Sequence, residues 1–140
     1  MDDACRGPSG NLLVIGDMEI AFYPVSHPVP TLAIRIATQD AVLAYSADTG
    51  PCPQLEDVAR GADLFLCEAT LLDGDTGPAP GHLTALQAGE LAAKAGVKTL
   101  VLTHLWPGYA IDRIVAEAQK VFSQTYIAEE MKAYRIPNSA

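Results

Sequence analysis

The sequence predicts a layered α/β domain in which one mixed sheet carries helices on one face. Short apolar runs separated by turn signals fill the first third of the chain. After about residue 82 the period of the apolar residues changes from two to near 3.6, and predicted strands alternate with helices. The length of 140 residues and the 49% hydrophobic content fit a single domain that buries a sizeable core.

Two hairpins are predicted in the first part of the chain. A Gly16-Asp17 turn joins the first pair of strands, and Thr38-Gln39-Asp40 joins the second. Between the hairpins, residues 24–30 hold three prolines and are therefore predicted to be an irregular loop, which contains His27. The predicted strands are 12–15, 18–23, 31–37 and 41–45. Residues 1–11 have no periodicity and are predicted to be a flexible leader, which leaves 12–137 as the domain.

Alternating strands and helices are predicted after residue 46. The clearest is a helix whose apolar stripe includes residues 83, 86, 88, 91, 92 and 95. Thr84 and Gln87 fit a capping box at its start, and Gly96 ends it. The other predicted elements are a helix at 54–60, a strand at 63–67, a loop at 72–81, a strand at 97–103, a helix at 111–122, and weaker strands at 125–128 and 132–136.

Composition excludes several classes of function. A net charge of -8 with nine scattered Lys and Arg argues against a stand-alone nucleic-acid-binding module, which needs a basic face. Three cysteines without a C-x-x-C spacing (Cys5, Cys52 and Cys67) argue against a disulfide framework or a structural zinc site, and favour the cytoplasm. No apolar run approaches the roughly 20 residues that span a bilayer, so no membrane partner is expected.

Acidic and imidazole side chains follow the predicted strands. Asp48 comes after the strand 41–45, and His104 comes directly after the strand 97–103. Such strand-end groups are suited to a metal site in an α/β protein. His27 and His82 also lie beside turn signals. Any one of these histidines could equally be a surface loop residue, but three of three at element ends favour a shared site.

Glu68 closes the apolar strand 63–67. A carboxylate in that position must either find hydrogen-bond donors or point to solvent. It is therefore either a turn cap or a partner that orients a histidine and tunes its protonation, and His82 is the histidine that could use it. By position alone, His82 could equally be a neighbour of the helix N-cap without a chemical role.

Five short segments together closely resemble the C-terminal half of metallo-β-lactamase-fold hydrolases. They are His27-Pro28-Val29-Pro30, Tyr45-Ser46-Ala47-Asp48-Thr49-Gly50-Pro51, Cys67-Glu68-Ala69-Thr70, Gly81-His82-Leu83-Thr84 and Leu102-Thr103-His104. The nearest resemblance is to the ribonuclease Z-like group and to related bacterial cyclic-nucleotide phosphodiesterase-like proteins, and it covers about residues 12–136. It implies half of an αββα sandwich.

The resemblance also implies roles for five residues. His27 is similar to the single-histidine ligand of a first metal, Asp48 to the carboxylate that bridges two metals, and His104 to the last ligand of the second. His82 and Glu68 resemble the catalytic histidine and acid that, in ribonuclease Z-like members, help to stabilise or protonate the leaving oxygen. The implied cofactor is zinc, two ions per complete site, with manganese as an alternative. The implied substrate is a cyclic nucleotide or a similar small phosphodiester. Processing of an RNA 3′ end is the second candidate, because the hairpin at 35–45 leaves no room for a long RNA-gripping arm.

The sequence departs from the family pattern in ways that affect activity. The His-x-His-x-Asp-His motif, which supplies most metal ligands, is absent from these 140 residues, so the resemblance implies a truncated half with two ligands for each metal. Such a half is either part of an enzyme or a non-catalytic interaction module. In both cases an apolar sheet face is expected to be covered by a second copy of the chain or by a complementing chain.

Two single residues also depart from the family pattern. Ala47 replaces the usual glycine, which would alter the backbone if that position needs a positive φ. Cys67 replaces a histidine of some ribonuclease Z members, which favours a relative outside the strict tRNA-processing type.

Overall fold

A computed structural model describes residues 12–75 and 81–137 of the chain. In these residues a mixed sheet carries helices, as the sequence predicts, and it has seven strands and three helices. The predicted leader at 1–11, the part of the predicted loop at 76–80, and Cys5 lie outside the described residues. The elements are β1 (Leu13–Ile15), β2 (Met18–Pro24), β3 (Leu32–Ala37), β4 (Val42–Tyr45), α1 (Gln54–Ala59), β5 (Leu64–Glu68), α2 (Ala85–Ala95), β6 (Thr99–Thr103), α3 (Ile111–Gln119) and β7 (Thr125–Ile127).

The strands lie in the sheet in the same order as in the sequence. β1 to β4 pair antiparallel through the two predicted hairpins. β4 to β7 pair parallel, and α1, α2 and α3 make the crossover connections between them. Because parallel strands share one carboxyl edge, the loops after β4, β5 and β6 converge at the same edge of the sheet.

The core lies between the sheet and the helices. Phe65 and Cys67 of β5, with Leu100 and Leu102 of β6, are fully buried on the face that the helices cover. Because successive side chains of a strand point to opposite faces, the residues between these four point to the other face of the sheet. The helices therefore pack on one face, as predicted.

Helix α2 begins and ends where its local signals predict. Thr84 Oγ1 accepts a hydrogen bond from the backbone N–H of Gln87, and Gln87 Oε1 accepts one from the N–H of Thr84, which completes a capping box. Gly96 takes the left-handed conformation that ends the helix. Within the helix, a Cβ added at Gly89 would lie 2.7 Å from the carbonyl oxygen of Ala118, so the glycine allows α2 and α3 to pack closely.

The predicted strand at 132–136 is wrong, because this segment forms no strand. Its residues instead lie over the sheet face opposite the helices. The Tyr134 hydroxyl accepts a hydrogen bond from the N–H of Glu129 and donates to the carbonyl of Ile127, at 3.2 and 3.4 Å. Tyr134 and Ile136 also line a cavity of about 390 Å³ together with Leu66 and other apolar residues of that face. Side-chain contact with the sheet therefore replaces strand pairing.

Helix α3 also departs from its prediction, because it ends at Gln119 and not at Phe122. The N–H groups of Val121 and Phe122 both donate to the carbonyl of Ala118, which closes a turn after the helix. Phe122 still packs against the core, which explains why the apolar pattern of the sequence extends past the end of the helix.

None of the helices in the described part of the chain is both long and apolar enough to cross a membrane.

Asp63, which directly precedes β5, links the starts of β4, β5 and β6 through hydrogen bonds. Its carboxylate accepts hydrogen bonds from the N–H of Val42, just at the start of β4, and from Lys98 Nζ, just before β6, both at 2.7 Å. The hydrogen bond from Lys98, with the N–H of Val42, lowers the pKa of the Asp63 carboxyl below its usual value, although burial opposes the shift. The ionised carboxylate is therefore the form that stabilises the fold.

We expect Asp63→Asn to lower the free energy of unfolding at pH 7 by about 1–2 kcal/mol, because a charge-assisted hydrogen bond is lost. The folded-state pKa of Asp63 is depressed, so its stabilisation is complete above the unfolded-state pKa, near 3.8, and is lost as pH falls through the folded-state pKa. The difference between wild type and variant should therefore shrink below about pH 4. Urea unfolding of both proteins across this range measures it.

The exposed Asp17→Asn serves as the control and should leave the free energy of unfolding unchanged at every pH. A difference between Asp63→Asn and wild type that stays constant from pH 7 to about pH 2 would contradict the assignment of an ionised, stabilising carboxylate.

Candidate active site

The structure brings all five predicted site residues together at the carboxyl edge of the parallel strands. Glu68 is the last residue of β5, His104 follows β6, and Asp48 lies in the loop after β4. His82 precedes α2, and its ring centre lies 5.4 Å from that of His104 and 5.4 Å from that of His27. The two carboxylates contact this row of imidazoles. Glu68 Oε1 lies 2.8 Å from Nδ1 of His82, and Asp48 Oδ2 lies 3.5 Å from Nε2 of His104.

Glu68 is the buried centre of the site. Its side chain is fully buried, and its two oxygens accept five hydrogen bonds of 2.8 to 3.1 Å. The donors are the N–H groups of Thr49, Thr70 and Leu83, the Thr70 hydroxyl and His82 Nδ1. Only an ionised carboxylate, which accepts at both oxygens, matches this set of donors. Glu68 is therefore an anchor for the two connections that follow β4 and β5 and for the ring of His82.

Thr70 was not assigned a role from the sequence, although it ends one of the five segments. Its hydroxyl lies 2.8 Å from Glu68 Oε2, 2.8 Å from His104 Nδ1 and 3.1 Å from the His104 carbonyl. The single hydroxyl hydrogen is donated to an oxygen, because carboxylate and carbonyl oxygens only accept. His104 Nδ1 must then be the donor in its contact with the hydroxyl. No local signal in the sequence reports this contact, because Thr70 and His104 are 34 residues apart.

The same reasoning assigns all three imidazoles. His82 Nδ1 donates to the Glu68 carboxylate at 2.8 Å, and His27 Nδ1 donates to the Gly81 carbonyl at 3.1 Å. With His104 Nδ1 donating to Thr70, each ring has its Nδ1 engaged within the protein. Among the described residues, only the Nε2 of His104 has a polar protein contact, with Asp48 at 3.5 Å. A neutral imidazole fixed in this way presents a lone pair at Nε2, which is the arrangement found in metal ligands and proton-transfer groups.

Asp48 and His104 form the accessible part of the site. Asp48 Oδ2 lies 3.5 Å from His104 Nε2, and the two side chains are 37% and 46% exposed. His104 and Ala47, which precedes Asp48, both have positive φ angles, 54° and 55°. Ala47, at the position where the resemblance implies a glycine, thus adopts the left-handed backbone at a cost of about 1–2 kcal/mol. Strain of this kind is concentrated at functional sites.

The available donors fit a metal that accepts imidazole and carboxylate ligands. Asp48 and Nε2 of His104 supply two adjacent ligand atoms, and His27 presents a third Nε2 beyond His82. Zinc and manganese both accept such ligands. Glu68, His82 and His104 also offer three ligand atoms within 4.8 Å of one another, but the oxygens of Glu68 already accept five hydrogen bonds. The Asp48 side of His104 is therefore the better place for a cation, and it provides fewer than the three protein ligands that zinc takes.

The two described cysteines are free thiols and lie outside this arrangement. Cys67 points into the core between the sheet and the helices and is fully buried. Burial, only partly opposed by a hydrogen bond with Ser46, raises the pKa of the Cys67 thiol. A thiolate ligand at this position is therefore disfavoured.

Comparison with known proteins identifies the family and the fold of the chain. The profile of the beta-lactamase superfamily domain matches residues 9–105, which is more than half of the chain, and the chain belongs to this family. The fold is that of the metallo-β-lactamase proteins. Residues of this chain superpose on the metallo-beta-lactamase-fold protein YhfI of Bacillus subtilis with a TM-score of 0.80 and 32% sequence identity, covering 85% of this chain and 50% of YhfI.

Two further relatives match most of the chain. It is 41% identical to a ribonuclease Z of Nocardia farcinica over 133 residues, which is 92% of this chain and 40% of that protein. It is 40% identical to a protein of Mycobacterium tuberculosis over 111 residues, which is 79% of this chain and 41% of that protein. The chain thus spans about two fifths of the length of these relatives. The short form of human tRNase Z shares the fold, with a TM-score of 0.71 at 22% identity over 89% of this chain and 46% of the human one.

Proposed function

We propose that this chain carries part of the active site of a metal-dependent phosphodiesterase whose substrate is a cyclic nucleotide or a similar small phosphodiester. The observation that carries the proposal is the row of three imidazoles, each with its Nδ1 hydrogen-bonded within the protein, beside the accessible carboxylate of Asp48. Membership of the beta-lactamase superfamily supports hydrolysis as the reaction class. Zinc is the expected metal, two ions in a complete site, with manganese as the alternative.

Each residue of the site has a distinct part in this proposal. His27, Asp48 and His104 would hold the metal, which supplies an activated water and polarises the phosphoryl oxygens when bound. His82 would give a proton from Nε2 to the leaving oxygen in its doubly protonated form, in which Nδ1 still donates to Glu68 at 2.8 Å. Glu68 is too deeply buried to touch a substrate and is therefore a positioning residue, not a proton donor.

Processing of an RNA 3′ end is the second candidate. The resemblance to the ribonuclease Z of Nocardia farcinica, at 41% identity over 92% of this chain, favours it. The tight β3–β4 hairpin and the net charge of -8 favour the small substrate instead.

The sheet face opposite the helices supports a proposal about partners. Leu43 and Leu66 in the sheet centre are only partly buried, and Leu13 and Ile15 in β1 are about half exposed. We propose that a second copy or a complementing chain covers this face and provides further metal ligands. If a second copy covers the face, sedimentation of the purified chain should give at least twice the 14.8 kDa of one chain. A strictly monomeric protein at micromolar concentration would exclude the second copy and leave only a complementing chain. With its free Cys52 and Cys67, the protein is proposed to act in the cytoplasm.

The test of function is hydrolysis of bis-p-nitrophenyl phosphate, cyclic AMP and a tRNA precursor by protein loaded with zinc or manganese. We expect metal-dependent cleavage that a chelator abolishes. His82→Asn should lower kcat by about 100-fold or more without changing metal content, because only proton transfer is lost. His104→Ala should lower metal content as well. Protein that holds no zinc or manganese and cleaves none of the three substrates would overturn the catalytic proposal and favour the non-catalytic interaction module.

A further inference from the structure

A small cavity lies directly beside the imidazoles of His82 and His104, and neither the metal ligands nor the proton donor explain it. Its volume is about 270 Å³. Besides the two histidines and Thr70, its walls are apolar and consist of Leu71, Leu105, Trp106 and Pro107. This volume lies just below the usual range for ligand pockets, roughly 300 to 1,000 Å³, and suits one planar ring system better than a long chain.

The Trp106 indole that lines this cavity is 47% exposed and is held in place by the turn that follows it. A Cβ added at Gly108 would lie 3.0 Å from Nε1 and 3.1 Å from Cδ1 of the indole, so the glycine lets the ring lie against the backbone. The N–H of Tyr109 donates to the Trp106 carbonyl at 3.2 Å, and the Tyr109 hydroxyl hydrogen-bonds to Asp75. The exposed indole is therefore pre-positioned, which lowers the entropy cost of binding a partner.

We propose that Trp106 is a stacking platform for the nucleobase attached to the phosphodiester. This placement of the nucleobase rests on the proposed function, because the phosphodiester would lie at His82 and His104 while its base enters the adjacent cavity. An indole face stacks on any base, and such stacking is a major source of affinity in nucleotide recognition. The lining includes no Lys or Arg, so the affinity comes from stacking and depends little on salt.

Trp106 is the only tryptophan of the chain, so intrinsic fluorescence reports on it directly. We expect AMP to quench this fluorescence in a saturable way, while ribose 5-phosphate, which lacks the base, leaves it unchanged. A short single-stranded RNA distinguishes the source of the base: quenching by AMP alone indicates a free nucleotide, and much tighter quenching by the RNA indicates an RNA end. Both results support a base-binding site, and equal responses to AMP and ribose 5-phosphate overturn it.

Affinity measurements by calorimetry separate stacking from a structural role. Trp106→Ala should weaken AMP binding by about 5- to 100-fold, the range that base–aromatic stacking provides, and Trp106→Phe should restore most of it. Gly108→Ala should also weaken AMP binding, because the new Cβ displaces the indole. Tyr126→Ala removes another half-exposed aromatic residue, on β7, and should have no effect. Equal AMP affinity in wild type and Trp106→Ala would overturn the proposal.

These measurements do not depend on catalysis, so the two proposals can fail separately. Base-dependent binding by a protein that cleaves no phosphodiester leaves the stacking site in place and overturns only the proposed function. Cleavage of cyclic AMP with a KM that Trp106→Ala does not change overturns the stacking site and leaves the proposed function in place.

Discussion

Replacing Glu68 by glutamine is expected to lower the free energy of unfolding by about 3–5 kcal/mol, the largest effect of any single isosteric change in the site. The substitution keeps the shape of the side chain but removes its charge and turns one acceptor oxygen into an amide donor. Because Glu68 is fully buried, no water replaces the lost acceptor.

Neither orientation of the amide satisfies the surrounding donors. If the NH2 group takes the place of Oε1, it faces the N–H of Thr49, which lies 3.0 Å away. If it takes the place of Oε2, it faces the N–H groups of Thr70 and Leu83, both 3.1 Å away. The His82 ring can change its tautomer and the Thr70 hydroxyl can rotate, but backbone N–H groups cannot. At least one buried N–H therefore loses its acceptor and meets another donor.

Urea unfolding of the two proteins at pH 7 measures this effect. Glu90→Gln is the matched control, because Glu90 lies on the exposed side of α2, and its free energy of unfolding should change by less than about 0.5 kcal/mol. If Glu68→Gln stays within about 1 kcal/mol of wild type, the five-donor network is not the source of stability that its geometry indicates.

The features that could be predicted from the sequence are those with local signals. The hairpins, the capping box of α2 and the end of that helix at Gly96 each depend on residues within a few positions of one another. The convergence of Asp48, Glu68 and His104 also follows from the sequence, because parallel strands place their carboxyl ends at one edge.

The features that could not be predicted depend on contacts between distant segments. Thr70 acquires its role only by meeting His104, and residues 132–136 are strand-like in sequence but pack their side chains on the sheet instead. Ala47 shows a further limit. A residue with a Cβ disfavours the left-handed backbone. The fold nevertheless holds Ala47 at a φ of 55°, because the surrounding structure outweighs the preference of one residue.

Asp48→Asn is expected to have the opposite profile to Glu68→Gln, with a large effect on metal binding and a small effect on the fold. The Asp48 side chain is 37% exposed, and its contact with His104 Nε2 is 3.5 Å long. Even a fully charged pair of such exposed groups would contribute at most about 1 kcal/mol, so the free energy of unfolding without metal should change by less than that.

The effect on metal affinity should be large because an amide oxygen is a neutral and weaker ligand than a carboxylate. Loss of groups that only support a ligand already lowers metal affinity by about 10- to 100-fold, so loss of a carboxylate that would itself hold the metal should lower the affinity at least about 100-fold. Zinc competition against a chromophoric chelator measures the affinity. Thermal unfolding with and without zinc gives a second readout, since zinc should raise the Tm of wild type and not that of Asp48→Asn.

Asp40→Asn is the control for this comparison, because Asp40 is an exposed aspartate at the other end of β4 from the site. It should bind zinc as wild type does. Equal zinc affinity in wild type and Asp48→Asn would exclude Asp48 as a ligand, and absence of zinc binding by wild type would overturn the metal site itself. A variant that loses zinc while keeping its stability would separate the two carboxylates of the site, with Glu68 holding the loops in place and Asp48 left free to bind a cation.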